Sequence, residues 1–231
     1  MTPDAEDHSS TNIWEKHFSV DPKDLAYNFF FYDLYSGDEK KLHEHLKNLL
    51  EKLKRPDLSG PLYLVIRELL TNSLKAVYKR LYMDYFIKEM GFGDLSYQEW
   101  LTIFKTEIES HMADNFANLC REKDFFVECN IILNPDHLTF EIINDGIPSD
   151  IEWERLQKSL ARASSFDDLG HLFEEETTAD DYQEGAGIGM PLITIILKNI
   201  HDNVNDFTIN IEEGKTVARL HLPVTLFTSA E

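Results

Sequence analysis

Residues 61–90 read PLYLVIRELLTNSLKAVYKRLYMDYFIKEM, and their apolar spacing is that of one long α-helix. Pro61 suits the start of a helix, because the first helical N–H groups have no partner within the helix. At about 100° per residue, one stripe of this helix is apolar. The stripe consists of Leu62, Val65, Ile66, Leu69, Leu70, Ser73 and Val77. The segment therefore predicts a long helix with one side buried.

A second, polar row lies beside this stripe. It consists of Glu68, Asn72, Lys75 and Lys79, whose spacing of i, i+4, i+7 and i+11 keeps them on one face. An amide oxygen can ligate Mg²⁺, and lysine ammonium groups pair with phosphate oxygens. Glu68 could orient or deprotonate a water or hydroxyl group. The row suits a metal–polyphosphate site, and the alternative is an ordinary solvated face with intrahelical salt bridges.

Strands are predicted on the C-terminal side of this helix. The runs FFVECNIIL (125–133) and HLTFEII (137–143) are joined by the turn residues NPD, and two closing runs, FTINIEE and TVARLHLPV, flank Gly214 and Lys215. Further helices are expected at 38–54, about 96–120, 150–163 and 190–200. This mixture of helices and strands predicts an α/β fold.

Two glycine clusters follow the strands and precede a helix. One is EIINDGIPSD (141–150), a strand that ends in a polar turn, and the other is EGAGIGMP (184–191). Glycines let a backbone approach phosphate groups closely, and the free N–H groups of a helix N-terminus bind anions. The alternative for both clusters is a plain turn.

In this order along the chain, four segments resemble the motifs of histidine-kinase-like ATP-binding domains (HATPase domains) of the GHKL superfamily. Residues 68–75 (ELLTNSLK) look like the N box, 144–148 (NDGIP) like the first glycine box, 185–190 (GAGIGM) like the second, and 214–223 (GKTVARLHLP) like the closing strand. The resemblance covers roughly residues 59–225. It implies a two-layer α/β sandwich of the Bergerat type, with a mixed sheet that helices cover on one face.

The resemblance also implies roles for individual residues. ATP contacts would be made by Asn72, Lys75, Asn144, Asp145, Gly146, Gly185, Gly187, Gly189 and Thr216. Asn72 would hold Mg²⁺, and Glu68 would be the general base or would orient it. Lys75 would contact phosphate, while Asn144 or Asp145 would accept a hydrogen bond from the adenine amine. The second glycine box would wrap the triphosphate, and the closing strand would lie near the adenine.

The first glycine box departs from the family pattern, which is D-x-G. Here Asn144 stands two residues before Gly146, and Asp145 lies between them. A carboxylate accepts more strongly from an amine than an amide does. Adenine recognition is therefore expected to be weaker or carried through water, and both residues stay candidates.

A helical insertion at about 80–120 and an acidic lid at about 165–184 are further departures. The insertion is rich in aromatic residues, which would form extra core or, alternatively, a dimer or partner surface. The lid has eight acidic residues and no Lys or Arg, so it would repel a triphosphate unless it stays open or Mg²⁺ intervenes. We expect a solvated loop there.

The net charge of the chain limits the kinds of molecule that it is expected to bind. With 22 Lys and Arg against 42 Asp and Glu among 231 residues, the formal charge is −20. This charge argues against broad contact with nucleic acid or an anionic membrane, and no run approaches the roughly 20 apolar residues of a membrane span. Two cysteines make no disulfide framework, which favours a cytoplasmic location.

We therefore expect an N-terminal tail and helical extension at 1–58, followed by the ATP-binding domain at 59–228. The expected function is ATP and Mg²⁺ binding in signal transduction, with transfer of the γ-phosphoryl group to a protein acceptor supplied elsewhere. The alternatives are a non-catalytic, nucleotide-dependent interaction module and an ATPase in which Glu68 activates water. The expected partners are ATP and a protein acceptor or regulatory partner, with a homodimer as one arrangement.

Overall fold

A five-stranded antiparallel sheet forms the centre of the computed structural model, which describes residues 25–34, 37–89, 96–109, 113–163, 189–201 and 206–228. Its strands are β1 (Leu25–Phe31), β2 (Val127–Leu133), β3 (His137–Asp145), β4 (Phe207–Glu212) and β5 (Lys215–Pro223). They lie in the order β1-β2-β3-β5-β4, and each neighbouring pair is antiparallel. The chain is thus an α/β fold, as the sequence predicts.

Seven helices are described around this sheet. They are α1 (Asp38–Lys52), α2 (Ser59–Glu89), α3 (Tyr97–Glu109), α4 (Ala113–Lys123), α5 (Asp150–Ala163), α6 (Gly189–Ile200) and the short α7 (Thr225–Thr228). A short 3₁₀ helix, Pro56–Leu58, precedes α2. In the part of the chain that the structure describes, no helix is both long enough and apolar enough to cross a bilayer.

The antiparallel pairing corrects the expectation of a mixed sheet, and tight turns account for two of the pairs. Between β2 and β3, the Asn134 side-chain oxygen accepts hydrogen bonds from the N–H groups of Asp136 and His137 at 2.9 and 2.7 Å. Between β4 and β5, Glu213 and Gly214 both have positive φ, at 50° and 81°. Turns this short can connect only antiparallel strands.

Strand β1 is an element that the sequence pattern did not predict. Its sequence, LAYNFFF, is aromatic but has no simple alternation. It pairs with β2, so that Phe29 faces Cys129 across the ladder. The described part of residues 1–58 therefore contributes a strand to the sheet, and the division of the chain at residue 58 stays a prediction.

The core lies between α2 and the sheet. Leu62, Ile66 and Leu70 on α2 are completely buried, as the apolar stripe predicts. On β3, alternate residues point to the same side, and Phe140 and Ile142 there are also completely buried. Helix α2 contacts β2 and β3, and α1 and α6 pack against α2. One face of the sheet is thus closed by a layer of helices.

The helical insertion adds to this core. Ser96 caps α3, since its hydroxyl oxygen accepts from the Glu99 N–H at 3.4 Å. The Glu99 carboxylate in return accepts from the hydroxyl and the backbone N–H of Ser96, at 2.6 and 2.9 Å. The rings of Trp100 and Phe104 stack at a centroid distance of 5.5 Å, and Phe116 on α4 meets Phe104 edge-on. These three rings are buried, which favours extra core over a partner surface for this part of the insertion.

The stripe on α2 supplies a test of this packing. We expect Leu70→Ala to lower the free energy of unfolding by about 2–5 kcal/mol, because it leaves a cavity under the sheet. Leu64, on the same helix, is 50% exposed, so Leu64→Ala is the matched control. It should change the free energy of unfolding by about 0.5 kcal/mol or less. Urea denaturation followed by circular dichroism measures both. Equal losses in the two variants would contradict the assigned buried face.

Candidate functional site

A cavity of about 640 Å³ opens between the helix layer and one end of the sheet. One wall is α2, and the floor is formed by the ends of β3 and β5 and by Ile209 of β4. The turn after β3 and the first half of α5 form the opposite wall, and Met190 of α6 closes a further side. The cavity therefore lies where the predicted N box, first glycine box and closing strand meet.

Five of the predicted site residues line this cavity. They are Asn72, Asn144, Asp145, Gly146 and Thr216. Glu68, Lys75 and Gly189 are described but are not among the lining residues. Gly185, Gly187 and the predicted lid at 165–184 lie outside the described residues.

Asn144 is the most deeply placed polar group of the cavity. It is 6% exposed, and it lies on the core side of β3 opposite Thr216 of β5. No side-chain hydrogen bond joins it to another described residue, and its amide faces the cavity. Its side-chain nitrogen and oxygen are not among the fully buried atoms that lack a partner, so both stay open to the cavity. A ligand with complementary polar groups would hydrogen-bond to them.

Asp145 faces the other way along the strand and has a partner. Its carboxylate pairs with Lys215, its neighbour on β5, at 3.3 Å. Of the two candidates for recognising a nucleobase, Asn144 is therefore the residue whose polar atoms are available.

Gly146 and Thr216 fix the turn at the rim of the cavity. Gly146 has φ of +123°, a conformation that side chains strongly disfavour, and its carbonyl oxygen accepts a hydrogen bond from the Thr216 hydroxyl at 2.8 Å. A Cβ atom at this position would lie 2.7 Å from Nη1 of Arg80. The positive φ requires glycine here, and the missing side chain leaves room for the Arg80 guanidinium to lie against the turn.

Asn72 is oriented by Glu68, one turn earlier on α2. The Asn72 amide nitrogen donates to Glu68 Oε1 at 3.1 Å, which leaves the Asn72 carbonyl oxygen for other contacts. Glu68 in turn lies against the start of α6, where a Cβ atom on Gly189 would collide with Oε1. The N-terminus of α6 thus meets a carboxylate, which is the favourable sign of charge for that end of a helix.

The two lysines of the polar row have different surroundings. Lys79 lines the cavity and forms an ion pair with Glu152 of α5. Glu152 also accepts hydrogen bonds from the backbone and hydroxyl of Ser149, so this pair ties α2 to the capped start of α5. Lys75 is exposed on another side of α2. The predicted polar row is therefore split between the cavity and solvent.

Several residues that line the cavity are not among the site residues that the sequence predicts. On α2 they are Ser73, Ala76, Arg80 and Met83, and from the insertion Trp100. The signal for most of the helical ones was present, because Ala76, Arg80 and Met83 follow Asn72 at spacings that share its face. Trp100 had no such signal, since a ring from a separate helix reaches the cavity only through tertiary packing.

Comparisons with known proteins find limited similarity. A protein of Treponema pallidum (strain Nichols), described there only as an uncharacterized protein, is 26% identical over 196 residues. That match takes in 83% of this chain, and the chain spans 35% of the length of that relative. No family model matches the chain, and no solved structure matches it significantly.

Two glycines allow the constraint at the cavity rim to be tested. At Gly146, φ is positive and a new Cβ atom would also meet the Arg80 side chain. At Gly214, φ is +81°, but a new Cβ atom would have no neighbouring atom within 4 Å. We expect Gly214→Ala to cost about 1–2 kcal/mol of the free energy of unfolding, and Gly146→Ala to cost more. Urea denaturation measures both. A smaller loss for Gly146→Ala would contradict the backbone constraint assigned to this turn.

Proposed function

We propose that the chain is an ATP- and Mg²⁺-binding domain of the histidine-kinase-like class, with a Bergerat-type fold, acting in cytoplasmic signal transduction. If catalytic, it transfers the γ-phosphoryl group of ATP to a protein acceptor supplied elsewhere. The proposal is supported by four motif-like segments in the family's order and by the cavity at which three of them meet. The single observation that carries it is the buried Asn144 amide facing that cavity.

An asparagine suits adenine in a way that a carboxylate does not. Its amide presents one acceptor and one donor side by side, and adenine presents an amine donor beside a ring-nitrogen acceptor. Asn144 can therefore accept from the amine and donate to the ring nitrogen together. Guanine presents an acceptor oxygen beside a ring N–H donor, and an amide turned by 180° satisfies that pair as well. Asn144 alone therefore does not decide between ATP and GTP.

The residues at the other end of the cavity fit a metal–phosphate group. Mg²⁺ prefers oxygen ligands and, in nucleotide sites, takes most of them from phosphates and water. The Asn72 carbonyl oxygen, held in place by the bond to Glu68, would supply a protein ligand. The described residues contain no cluster of three or more acidic, His or Cys ligands, so metal binding should depend on the nucleotide. When bound, Mg²⁺ would neutralise the charge of the phosphates.

One observation favours a second candidate function, a non-catalytic nucleotide-dependent interaction module. Glu68, the proposed general base, is engaged by Asn72 and lies against Gly189 rather than in the cavity wall. A general base must come within hydrogen-bond reach of the proton that it removes. Phosphoryl transfer, or hydrolysis with Glu68 activating water, therefore requires the Glu68 carboxylate to turn towards the cavity.

Calorimetric titration with ATP and Mg²⁺ tests the binding proposal. We expect Asn144→Leu to weaken ATP binding by about tenfold or more, because it removes both base contacts at similar volume. Asn72→Ala should abolish the dependence of binding on Mg²⁺. Asn48→Ala, which alters an exposed asparagine on α1, is the control and should change neither. If the wild type does not bind ATP, or if Asn144→Leu binds it equally well, the proposal is wrong.

Incubation with ATP labelled at the γ-phosphate separates the kinds of chemistry. Label on protein supports a phosphotransferase, and released phosphate supports an ATPase. Binding with neither outcome, in the presence of candidate acceptor proteins, supports the interaction module. Glu68→Gln is the diagnostic variant, since it should remove either chemical activity while leaving ATP binding within about twofold.

A further inference from the structure

Arg80 is a cavity residue to which the proposed function assigns no role. It lies on α2, two turns beyond Asn72, and its guanidinium group reaches the glycine turn after β3. Its Nη1 atom lies so close to Gly146 that a Cβ atom there would be 2.7 Å away. The guanidinium is therefore placed at the end of the cavity that holds Asn144 and Thr216.

The charge of Arg80 is available to a ligand. The charges of two nearby lysines are paired with carboxylates. Lys79, in the cavity lining, pairs with Glu152, and Lys215 pairs with the lining residue Asp145. Among the described residues, no carboxylate lies within salt-bridge distance of Arg80. Its described contact is with an aromatic ring, since the guanidinium carbon lies 6.0 Å from the centroid of Phe125. An arginine held in this way can present the open face of its guanidinium plane to a second flat group.

The position of Arg80 separates it from the metal–phosphate end. Eight residues along a helix correspond to about 12 Å, so Arg80 and Asn72 contact different parts of an extended ligand. Arg80 is instead near Asn144, where the proposed function places the base. A flat, polarisable ring at this point would lie between the guanidinium and the apolar part of the cavity.

We propose that Arg80 stacks its guanidinium plane on the base of the bound nucleotide and so determines affinity for the base rather than for the phosphates. The inference rests on the proposed function, because it concerns the ligand of the same cavity. Guanidinium groups stack on aromatic rings and on nucleobases, and the attraction combines dispersion with the pull of a cation on the ring. Arg80 and Asn144 would then hold the base by its face and by its edge.

Three ligands and two variants test this role. Binding of ATP with Mg²⁺, of adenosine and of tripolyphosphate with Mg²⁺ is measured by calorimetry and by competition with ATP, for wild type, Arg80→Met and Arg80→Lys. We expect Arg80→Met to weaken the binding of ATP and of adenosine by a similar factor, about two- to thirty-fold. The affinity for tripolyphosphate should not change. Arg80→Lys keeps the positive charge but not the planar group, so it should weaken the binding of ATP and adenosine by most of that factor. Lys40→Met, which removes an exposed charge from α1, is the control and should change nothing.

Two outcomes would overturn this role for Arg80 alone. If Arg80→Met binds both tripolyphosphate and ATP more weakly than the wild type does, Arg80 contacts phosphate rather than the base. Unchanged adenosine and ATP binding in Arg80→Met would show that it does not stack on the base, while ATP binding by the wild type would leave the proposed function standing. If the wild type binds no ATP, the proposed function fails and the inference fails with it. Thermal unfolding of each variant shows that the comparisons are made on folded protein.

Discussion

The packing of α2 across β3 is the contact on which the cavity depends. Leu62 and Leu70 on the helix and Phe140 on the strand are each completely buried. Close packing of side chains leaves a helix little freedom to slide or rotate against a sheet. It therefore sets which residues of α2 face the open end of β3. Asn72 and Arg80 lie in the cavity wall, whereas Lys75 is turned to solvent.

The polar groups of the cavity are placed at the end of this apolar contact. Along β3, core-facing positions pass from Phe140 and Ile142 to Asn144, so the strand leaves the core with a buried amide. The next residues turn away at Gly146, whose carbonyl group is held by Thr216. A polar group at the edge of a core, without a side-chain partner in the protein, keeps its donor and acceptor atoms for a ligand. This arrangement supports recognition of a small molecule with both polar and flat apolar surfaces.

The negative charge of the chain is compatible with such a ligand. The formal charge of −20 is that of the whole chain, whereas the cavity is lined by Arg80 and by the Lys79–Glu152 pair. Asp145, also in the lining, pairs with Lys215 outside it. Pairing holds Lys79 and Lys215 in place and reduces their net effect on a bound anion. Under the proposed function, the phosphates of the nucleotide would depend on Mg²⁺ for neutralisation, and its base on Arg80 and Asn144.

The long helix and the two hairpins were determined by the sequence alone, and five of the ten predicted site residues line one cavity. Periodic apolar residues and turn residues such as Asn134 and Gly214 act locally, so their effect can be read from neighbouring positions. Strand β1 could not be predicted in this way, because it is stabilised by pairing with β2, about a hundred residues later in the chain. For the same reason, only the tertiary structure decided that Lys75 leaves the cavity and that Trp100 lines it, whereas the helical spacing of Arg80 already places it on the face of Asn72. Those outcomes depend on how α2 is rotated against β3 and on where α3 packs, and both are set by contacts between segments that are distant in sequence.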